Sequence, residues 1–195
     1  MTQHVKVDVG TLKNKARPMG MPFRISKIGH VVLKVSDLER SVRFYTEVLG
    51  FSVSDVYPDQ MRPGGMVFMR CNADHHGIAL TGDAPGEAAP NTELDHIAFE
   101  VATLDEVFRA SRHLRKHGAR IDFEGRRRAG CQIAVEFRDP DGHRLEIYWG
   151  VDQVGSDGIV RPASEWKGIA GLAQAVEDPV RGQDTSLQDP SLLKG

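Results

Sequence analysis

The sequence is poor in cysteine and contains no long hydrophobic run. Cys71 and Cys131 are its two cysteines among 195 residues, too few for the disulfide framework of a small secreted protein. No apolar stretch approaches the roughly 20 residues that cross a bilayer, and residues 1–22 lack the apolar segment of a secretory signal. We therefore predict a cytoplasmic protein with two free thiols and no membrane partner.

The sequence also lacks an excess of charge of either sign. The formal net charge is -2, and acidic and basic residues are interspersed, so we expect no nucleic-acid partner. A composition of 40% hydrophobic and 27% charged residues is typical of a globular protein. The length allows one large domain or two small modules that share a core.

The chain nearly repeats itself. The segment GHVVLKVSDL, residues 29–38, matches DHIAFEVATL, residues 95–104. In each copy a histidine opens a strand of alternating character, a helix start follows, and three further strand-like pieces come after the helix. The repeat predicts an α+β fold of two βαβββ units, at about residues 25–82 and 94–150. We expect them to form one curved mixed sheet around a cavity, with the helices outside.

Local signals mark the ends of both predicted helices. Asp37 is placed to cap the first helix and Thr103 to cap the second. Gly50 and Gly118 follow the last periodic residues and can end them. Each predicted helix therefore has a capping residue at its start and a glycine that can end it.

Two segments flank the repeated domain of residues 25–150. Residues 1–24 are predicted to form an arm. Residues 151–195 are rich in Asp, Gly and Pro and should form a tail with one short helix. The tail is expected to cover the domain or a partner copy, and we predict a homo-oligomer.

Three potential metal ligands lie at equivalent edges of the repeat. Strand alternation places His30, His96 and Glu146 on the polar faces of their strands. A single strand histidine is more often an ordinary hydrogen-bonded residue, but three such residues at matching positions favour a metal. Two imidazoles and a carboxylate suit iron(II), with manganese(II) or another divalent ion as the alternative, and leave coordination positions open. Ala79 occupies the position that matches Glu146 in the first unit, so no fourth protein ligand is expected.

These residues resemble the vicinal oxygen chelate superfamily, which includes glyoxalase I, bleomycin-resistance proteins and type I extradiol dioxygenases. The resemblance covers about residues 25–150 and is carried by GHVVLKVSDLERSVRFYTEVLGF, LDHIAFEV and DPDGHRLEIYW. It implies a fold around a metal-binding cavity. CNADHHGIAL is similar to the segment of extradiol dioxygenases in which a histidine transfers protons. The match implies a dioxygenase that cleaves a catecholic ring with O2 and uses His76 as its acid/base, although alternation alone favours His75, which shares parity with Ala79.

The chain departs from the two-domain extradiol enzymes at two positions. Where those enzymes have a substrate-binding tyrosine ten residues before the glutamate ligand, this chain has Glu136, and where they have a histidine nine residues earlier it has Arg127. With His75 and Tyr148, these are the candidate substrate-binding residues. The run Arg126–Arg128 could instead recognise a substrate carboxylate or form a solvated basic turn.

Two other functions fit the same sequence. A glyoxalase-like isomerase or lyase would use the metal to polarise an enediolate without consuming oxygen, with Glu136 as a candidate base. A binding protein like the bleomycin-resistance members would need no metal. Metal binding separates the last hypothesis from the first two, and oxygen consumption separates those two from each other.

Overall fold

The computed structural model describes most of the chain. The described residues are 8–15, 28, 30–82, 94–154, 156, 159 and 161–194. In chain order its elements are α1 (Val9–Lys13), β1 (Val31–Lys34), α2 (Leu38–Arg43) continued by a π-helical turn (Phe44–Val48), β2 (Ser52–Tyr57), β3 (Met66–Arg70), β4 (Ile78–Thr81), β5 (Ile97–Glu100), α3 (Leu104–Lys116), β6 (Ile121–Arg126), β7 (Ile133–Arg138), β8 (Arg144–Trp149), a 3₁₀ turn (Ala163–Glu165), β9 (Ile169–Ala170), α4 (Leu172–Glu177) and a final 3₁₀ helix (Pro190–Lys194).

The strands form two sheets with the same internal order. The first is β1-β4-β3-β2 and the second is β5-β8-β7-β6, extended at its edge by β9. In each unit the first strand runs parallel to the last, and the remaining pairs are antiparallel. The α+β class and the two βαβββ units are therefore confirmed. The expectation of one continuous sheet is corrected. Each unit pairs its first strand with its own last strand, so the two units form two separate sheets.

Helix capping follows the sequence signals. The Asp37 side chain accepts from the Arg40 backbone N–H at 2.9 Å. Thr103 forms a reciprocal capping box with Glu106. Gly118 follows α3 in the left-handed conformation, at φ 70°. The π-helical turn at the end of α2 was not predicted.

A buried carboxylate joins the two units. Asp141, in the turn between β7 and β8, accepts hydrogen bonds from the backbone N–H of Ser36 at 2.8 Å and from the hydroxyl of Ser41 at 2.6 Å. Next to it, Asp139 accepts from the hydroxyl of the buried Tyr45 at 3.1 Å. Side chains of both units also share one hydrophobic core. The start of α2 is thereby held against the second unit.

The C-terminal segment, residues 161–194, runs along the second unit. β9 pairs with the edge of β6. Arg126, the last residue of β6, is buried and donates to the carbonyls of Ala175 and Asp178, each at 2.7 Å, where α4 ends. The buried Asp105 of α3 accepts from backbone N–H groups further along the tail. These contacts hold the tail against β6 and α3 of the second unit.

Both cysteines are free, with Cys71 exposed and Cys131 buried, as the composition predicts. Within the described residues, no helix combines the length and the apolar composition that a membrane crossing requires.

Candidate metal centre

The parallel pairing of β5 and β8 brings His96 next to Glu146. Ala98 is the register partner of Glu146, and His96 lies just before β5 on the same face of the sheet. The Nε2 atom of His96 is 3.4 Å from the Oε2 atom of Glu146. These two predicted ligands therefore face each other across a gap of a few ångströms.

The ring of His96 is held through its other nitrogen. Nδ1 lies 2.7 Å from Oδ1 of Asp95, and the same oxygen accepts from Arg144 at 3.1 Å. A carboxylate oxygen that already accepts from a guanidinium favours a protonated Nδ1. Nε2 then keeps its lone pair and points at Glu146. Asp95 and Arg144 thus orient a potential metal ligand, although neither was predicted from the sequence.

Glu146 is also held at one of its two oxygens. Its side chain is 2% exposed, and Gln132 Nε2 donates to Oε1 at 3.4 Å. Burial raises the pKa of the Glu146 carboxyl, the hydrogen bond from Gln132 opposes that rise, and the negative charge of Glu136 adds to it. A carboxylate this buried is stabilised by a cation, since an unpaired buried charge is costly.

His96 and Glu146 fit one divalent ion. Two ligand atoms at about 2.1 Å from an ion lie roughly 3.0–3.4 Å apart when the angle between them is octahedral to tetrahedral. The third predicted ligand, His30, instead lies against His76, with ring centroids 4.5 Å apart. In the part of the chain that the structure describes, no three His, Cys, Asp or Glu side chains are grouped to hold a metal. The register of β5 and β8 sets Glu146 beside His96, whereas no strand pairing ties His30 to either residue.

The adjacent histidines lie in the bend before β4, outside the strand. Strand alternation therefore does not govern which way they face. The ring of His76 lies 4.5 Å from that of His30 and 5.0 Å from that of Phe68, and its Nδ1 is 3.0 Å from Nδ1 of His75. Partial burial, followed by the neighbouring His30 and His75, lowers the pKa of His76. His75 is exposed, and Ala79 is buried within β4.

Glu136 and Arg127, the two residues that depart from the extradiol pattern, contact each other. Glu136 on β7 is the register partner of Glu146 on β8, so both side chains share one face. Arg127 Nε donates to Glu136 Oε1 at 2.6 Å. Its guanidinium lies 3.7 Å above the ring of Phe123. The positions that carry histidine and tyrosine in the two-domain enzymes form an ion pair in this chain.

These side chains line one cavity of about 320 Å³. Its lining is Asp95, His96, Arg127, Gln132, Glu136, Arg144 and Glu146. All seven are polar or charged. Tyr148 lies two residues beyond Glu146 on the same face but outside this lining, and partial burial with the charges of Glu100 and Glu146 raises its pKa.

Known proteins share this architecture and parts of this sequence. The chain is 32% identical over 136 residues to a manganese-dependent 2,3-dihydroxybiphenyl 1,2-dioxygenase of Geobacillus genomosp. 3, covering 68% of this chain and 39% of that protein. It is 32% identical over 131 residues to an iron-dependent extradiol dioxygenase of Rhodococcus jostii (strain RHA1), covering 62% and 42%. The chain thus spans about two-fifths of the length of these curated relatives.

The fold has relatives among solved structures. A glyoxalase I of Leishmania major superposes with a TM-score of 0.52 at 27% identity, covering 64% of this chain and 86% of that one. The model of one family matches residues 27–147. Because that match takes in both βαβββ units and more than half of the sequence, the chain belongs to the Glyoxalase/Bleomycin resistance protein/Dioxygenase superfamily.

Proposed function

We propose that this protein is a metal-dependent extradiol-type dioxygenase that cleaves a catecholic aromatic substrate with O2, as part of aromatic catabolism. The observation that carries the proposal is the pair formed by His96 Nε2 and Glu146 Oε2, 3.4 Å apart. Each residue is oriented through its other polar atom. The sequence similarity to extradiol dioxygenases supports the same conclusion.

His96 and Glu146 would hold the metal, with His30 as the third ligand. We propose iron(II) as the native ion and manganese(II) as the alternative, since the relatives include one dioxygenase of each kind. When bound, the metal supplies a Lewis acid that can lower the pKa of a diol hydroxyl and a redox-active centre for the reaction with O2. Asp95 and Gln132 hold the two facing ligands and so reduce the reorganisation that metal binding requires.

His76 would move the proton. Its Nδ1 atom faces His75, which leaves Nε2 as the atom that can exchange a proton with a substrate hydroxyl. Histidine is suited to proton transfer near neutral pH, and one such group typically contributes about 10²- to 10⁴-fold in rate. In this proposal His75 orients His76, and Tyr148, Glu136 and Arg127 contact the substrate.

A glyoxalase-like isomerase is the second candidate. It is supported by the likeness to the Leishmania major glyoxalase I, and it would use Glu136 as a base. Glu136 is, however, held by two nitrogens of Arg127, so one of its oxygens is already engaged by the guanidinium. That contact favours the dioxygenase. A metal-free binding role would leave the buried Glu146 without its cation.

We further propose that the protein acts as a homo-oligomer in the cytoplasm. Light scattering on the purified protein should give more than one chain per particle, and a monomeric mass at micromolar concentration would exclude this part of the proposal.

The function is tested by metal analysis followed by oxygen uptake. Protein purified without chelator should contain about one iron or manganese per chain. After anaerobic loading with iron(II), an oxygen electrode should record uptake when catechols are added. Metal binding without oxygen uptake over a panel of catechols, together with isomerisation of an α-oxo aldehyde hemithioacetal to an α-hydroxythioester, would favour the glyoxalase-like alternative. Absence of metal binding would leave the non-catalytic role.

A further inference from the structure

A second cavity adjoins the candidate metal centre. It has a volume of about 440 Å³ and is lined by Phe123, Arg126, Arg127, Arg128, Gly168, Ile169 and Ala170. Three of these residues are arginines, and none of the lining residues is acidic. Both cavities fall within the roughly 300–1,000 Å³ typical of small-molecule sites. A basic lining of this kind is suited to an anion.

Arg127 belongs to both cavities. One face of its guanidinium covers Phe123 at 3.7 Å, and its Nε and Nη2 atoms both contact Glu136 Oε1. The remaining nitrogen, Nη1, makes no hydrogen bond within the described residues. Because stacking and the ion pair fix the plane of the guanidinium, a ligand need not order this side chain again. Arg127 therefore connects the metal-side cavity to the basic one through a rigid positive group.

Arg128 extends the positive charge away from the metal centre. Its side chain packs on Gly168, where an added Cβ would lie 2.9 Å from Arg128 Cγ. The described part of the chain places no carboxylate in ion-pair distance of its guanidinium, so its charge is open to a ligand. The absence of a side chain at Gly168 lets the tail close one wall of the cavity against Arg128.

Arg126 adds positive charge to the cavity from a buried position beneath α4. It is 1% exposed, and its two terminal nitrogens donate to the backbone carbonyls at the end of α4. Its Nε atom is buried without a hydrogen-bond partner in the described structure. A guanidinium with this burial contributes a positive potential that solvent screens poorly.

We propose that Arg127 and Arg128 form an anion subsite that binds a carboxylate on the aromatic substrate, so that the substrate class is a catechol with a carboxylate substituent. This inference rests on the proposed function, because the diol must lie at His96 and Glu146 for the substituent to reach the basic cavity. Arginine recognises a planar carboxylate through parallel N–H donors. Diols that carry only an apolar ring would desolvate arginine here without replacing its hydrogen bonds.

Equilibrium binding tests the subsite without turnover. Catechol, 3,4-dihydroxybenzoate, benzoate and inorganic phosphate are titrated by anaerobic calorimetry into the manganese-loaded and the metal-free full chain, and into manganese-loaded Arg128→Gln and Arg43→Gln. Arg43 is an exposed arginine on α2 and serves as the matched loss of one positive charge. The wild type should bind 3,4-dihydroxybenzoate more tightly than catechol. Arg128→Gln should reduce that preference by roughly tenfold or more, the effect of one charge-assisted hydrogen bond, whereas Arg43→Gln should leave the preference unchanged.

The arms of the experiment separate the possible failures. The subsite is overturned if the wild type binds both diols with equal affinity, or if Arg128→Gln and Arg43→Gln have equal effects. In either case, metal-dependent binding of the diols would still support the proposed function. If neither diol binds in a metal-dependent way but benzoate binds and Arg128→Gln weakens it, the anion subsite stands and the proposed function fails. If inorganic phosphate binds as tightly as benzoate without competing with 3,4-dihydroxybenzoate, the anion is a separate ligand and the assignment to substrate is wrong.

Discussion

His96 Nε2 and Glu146 Oε2 lie 3.4 Å apart on two parallel strands that are distant in sequence. Each side chain also has a second polar partner. Asp95 holds the far nitrogen of His96, and Gln132 holds the second oxygen of Glu146. The two remaining atoms therefore face a common point, where a divalent ion would bind.

Replacing Glu146 should remove the metal and preserve the fold. Glu146→Gln keeps the shape of the side chain and its contact with Gln132 but loses the anionic oxygen. We expect metal affinity to fall by at least about 100-fold, the upper end of what loss of an outer hydrogen-bond partner costs. Competition with a fluorescent chelator measures the affinity, and thermal unfolding without metal checks the fold. An unchanged affinity in a folded variant would falsify the assignment of Glu146 as a ligand.

Removing the carboxylate behind His96 should weaken metal binding by less. Asp95→Ala frees the imidazole to rotate and to change tautomer, so affinity should fall by roughly 10- to 100-fold. Asp95→Asn retains an acceptor oxygen and should restore part of the loss. Asp55→Ala, at an exposed aspartate on β2, is the matched control and should bind metal like the wild type. If Asp95→Ala behaves like the control, the hydrogen bond does not orient the ligand.

His76 and His75 should differ in their effect on turnover. His76→Ala should keep metal and diol binding but lower kcat by about 10²- to 10⁴-fold, as expected for loss of one acid/base. His75→Ala should have a milder effect, because its ring contacts Phe68 and His76 rather than His30. Steady-state oxygen uptake with matched binding measurements separates the two steps. A crippling His75→Ala together with a mild His76→Ala would reverse the roles.

The carboxylate between the units should make stability depend on pH. Although burial alone raises the pKa of Asp141, hydrogen bonds from Ser36 and Ser41 and the charge of Arg40 hold that pKa below its usual value. The stability that Asp141 contributes is therefore present above its unfolded pKa of about 3.9 and is lost as the pH falls through the lower folded pKa.

Asp141→Asn should accordingly lower the free energy of unfolding at pH 7 by about 1–3 kcal/mol, because an amide accepts through one oxygen only. Urea unfolding between pH 3 and 7 measures the difference, which should shrink below about pH 4. Asp55→Asn should stay within about 0.5 kcal/mol of wild type throughout. A deficit of Asp141→Asn that stays constant down to pH 3 would show that its ionisation does not stabilise the fold.

Local patterns predicted the elements and the repeat. Caps such as Asp37 and Thr103 act within one helical turn, so sequence is enough to place them. The same holds for the direction of Glu146 within β8 and of His96, which directly precedes β5 and continues its alternation. What sequence did not reveal is the partner of each residue. Gln132 reaches Glu146 only because the β7–β8 hairpin has its particular register.

The remaining differences also have physical causes. Alternation favoured His75, but both histidines precede β4 and the rule does not reach them. The sequence leaves the run Arg126–Arg128 as either a carboxylate-binding site or a solvated basic turn, whereas the structure divides its roles: Arg126 is buried under α4, and Arg127 pairs with Glu136. One curved sheet was expected, but each unit pairs its own first and last strands. Placement of His30 relative to His96 depends on packing between the units, which no periodicity encodes.

The most direct test of the central claim compares oxygen and diol consumption in the iron-loaded wild type and in His96→Ala. The wild type should consume one O2 for each catechol that disappears, and with ¹⁸O2 both labelled atoms should appear in a ring-opened product by mass spectrometry. His96→Ala, folded but lacking one ligand, should show neither consumption. Conversion of substrate without oxygen uptake, or equal oxygen uptake by His96→Ala, would contradict a metal-dependent dioxygenase at this site.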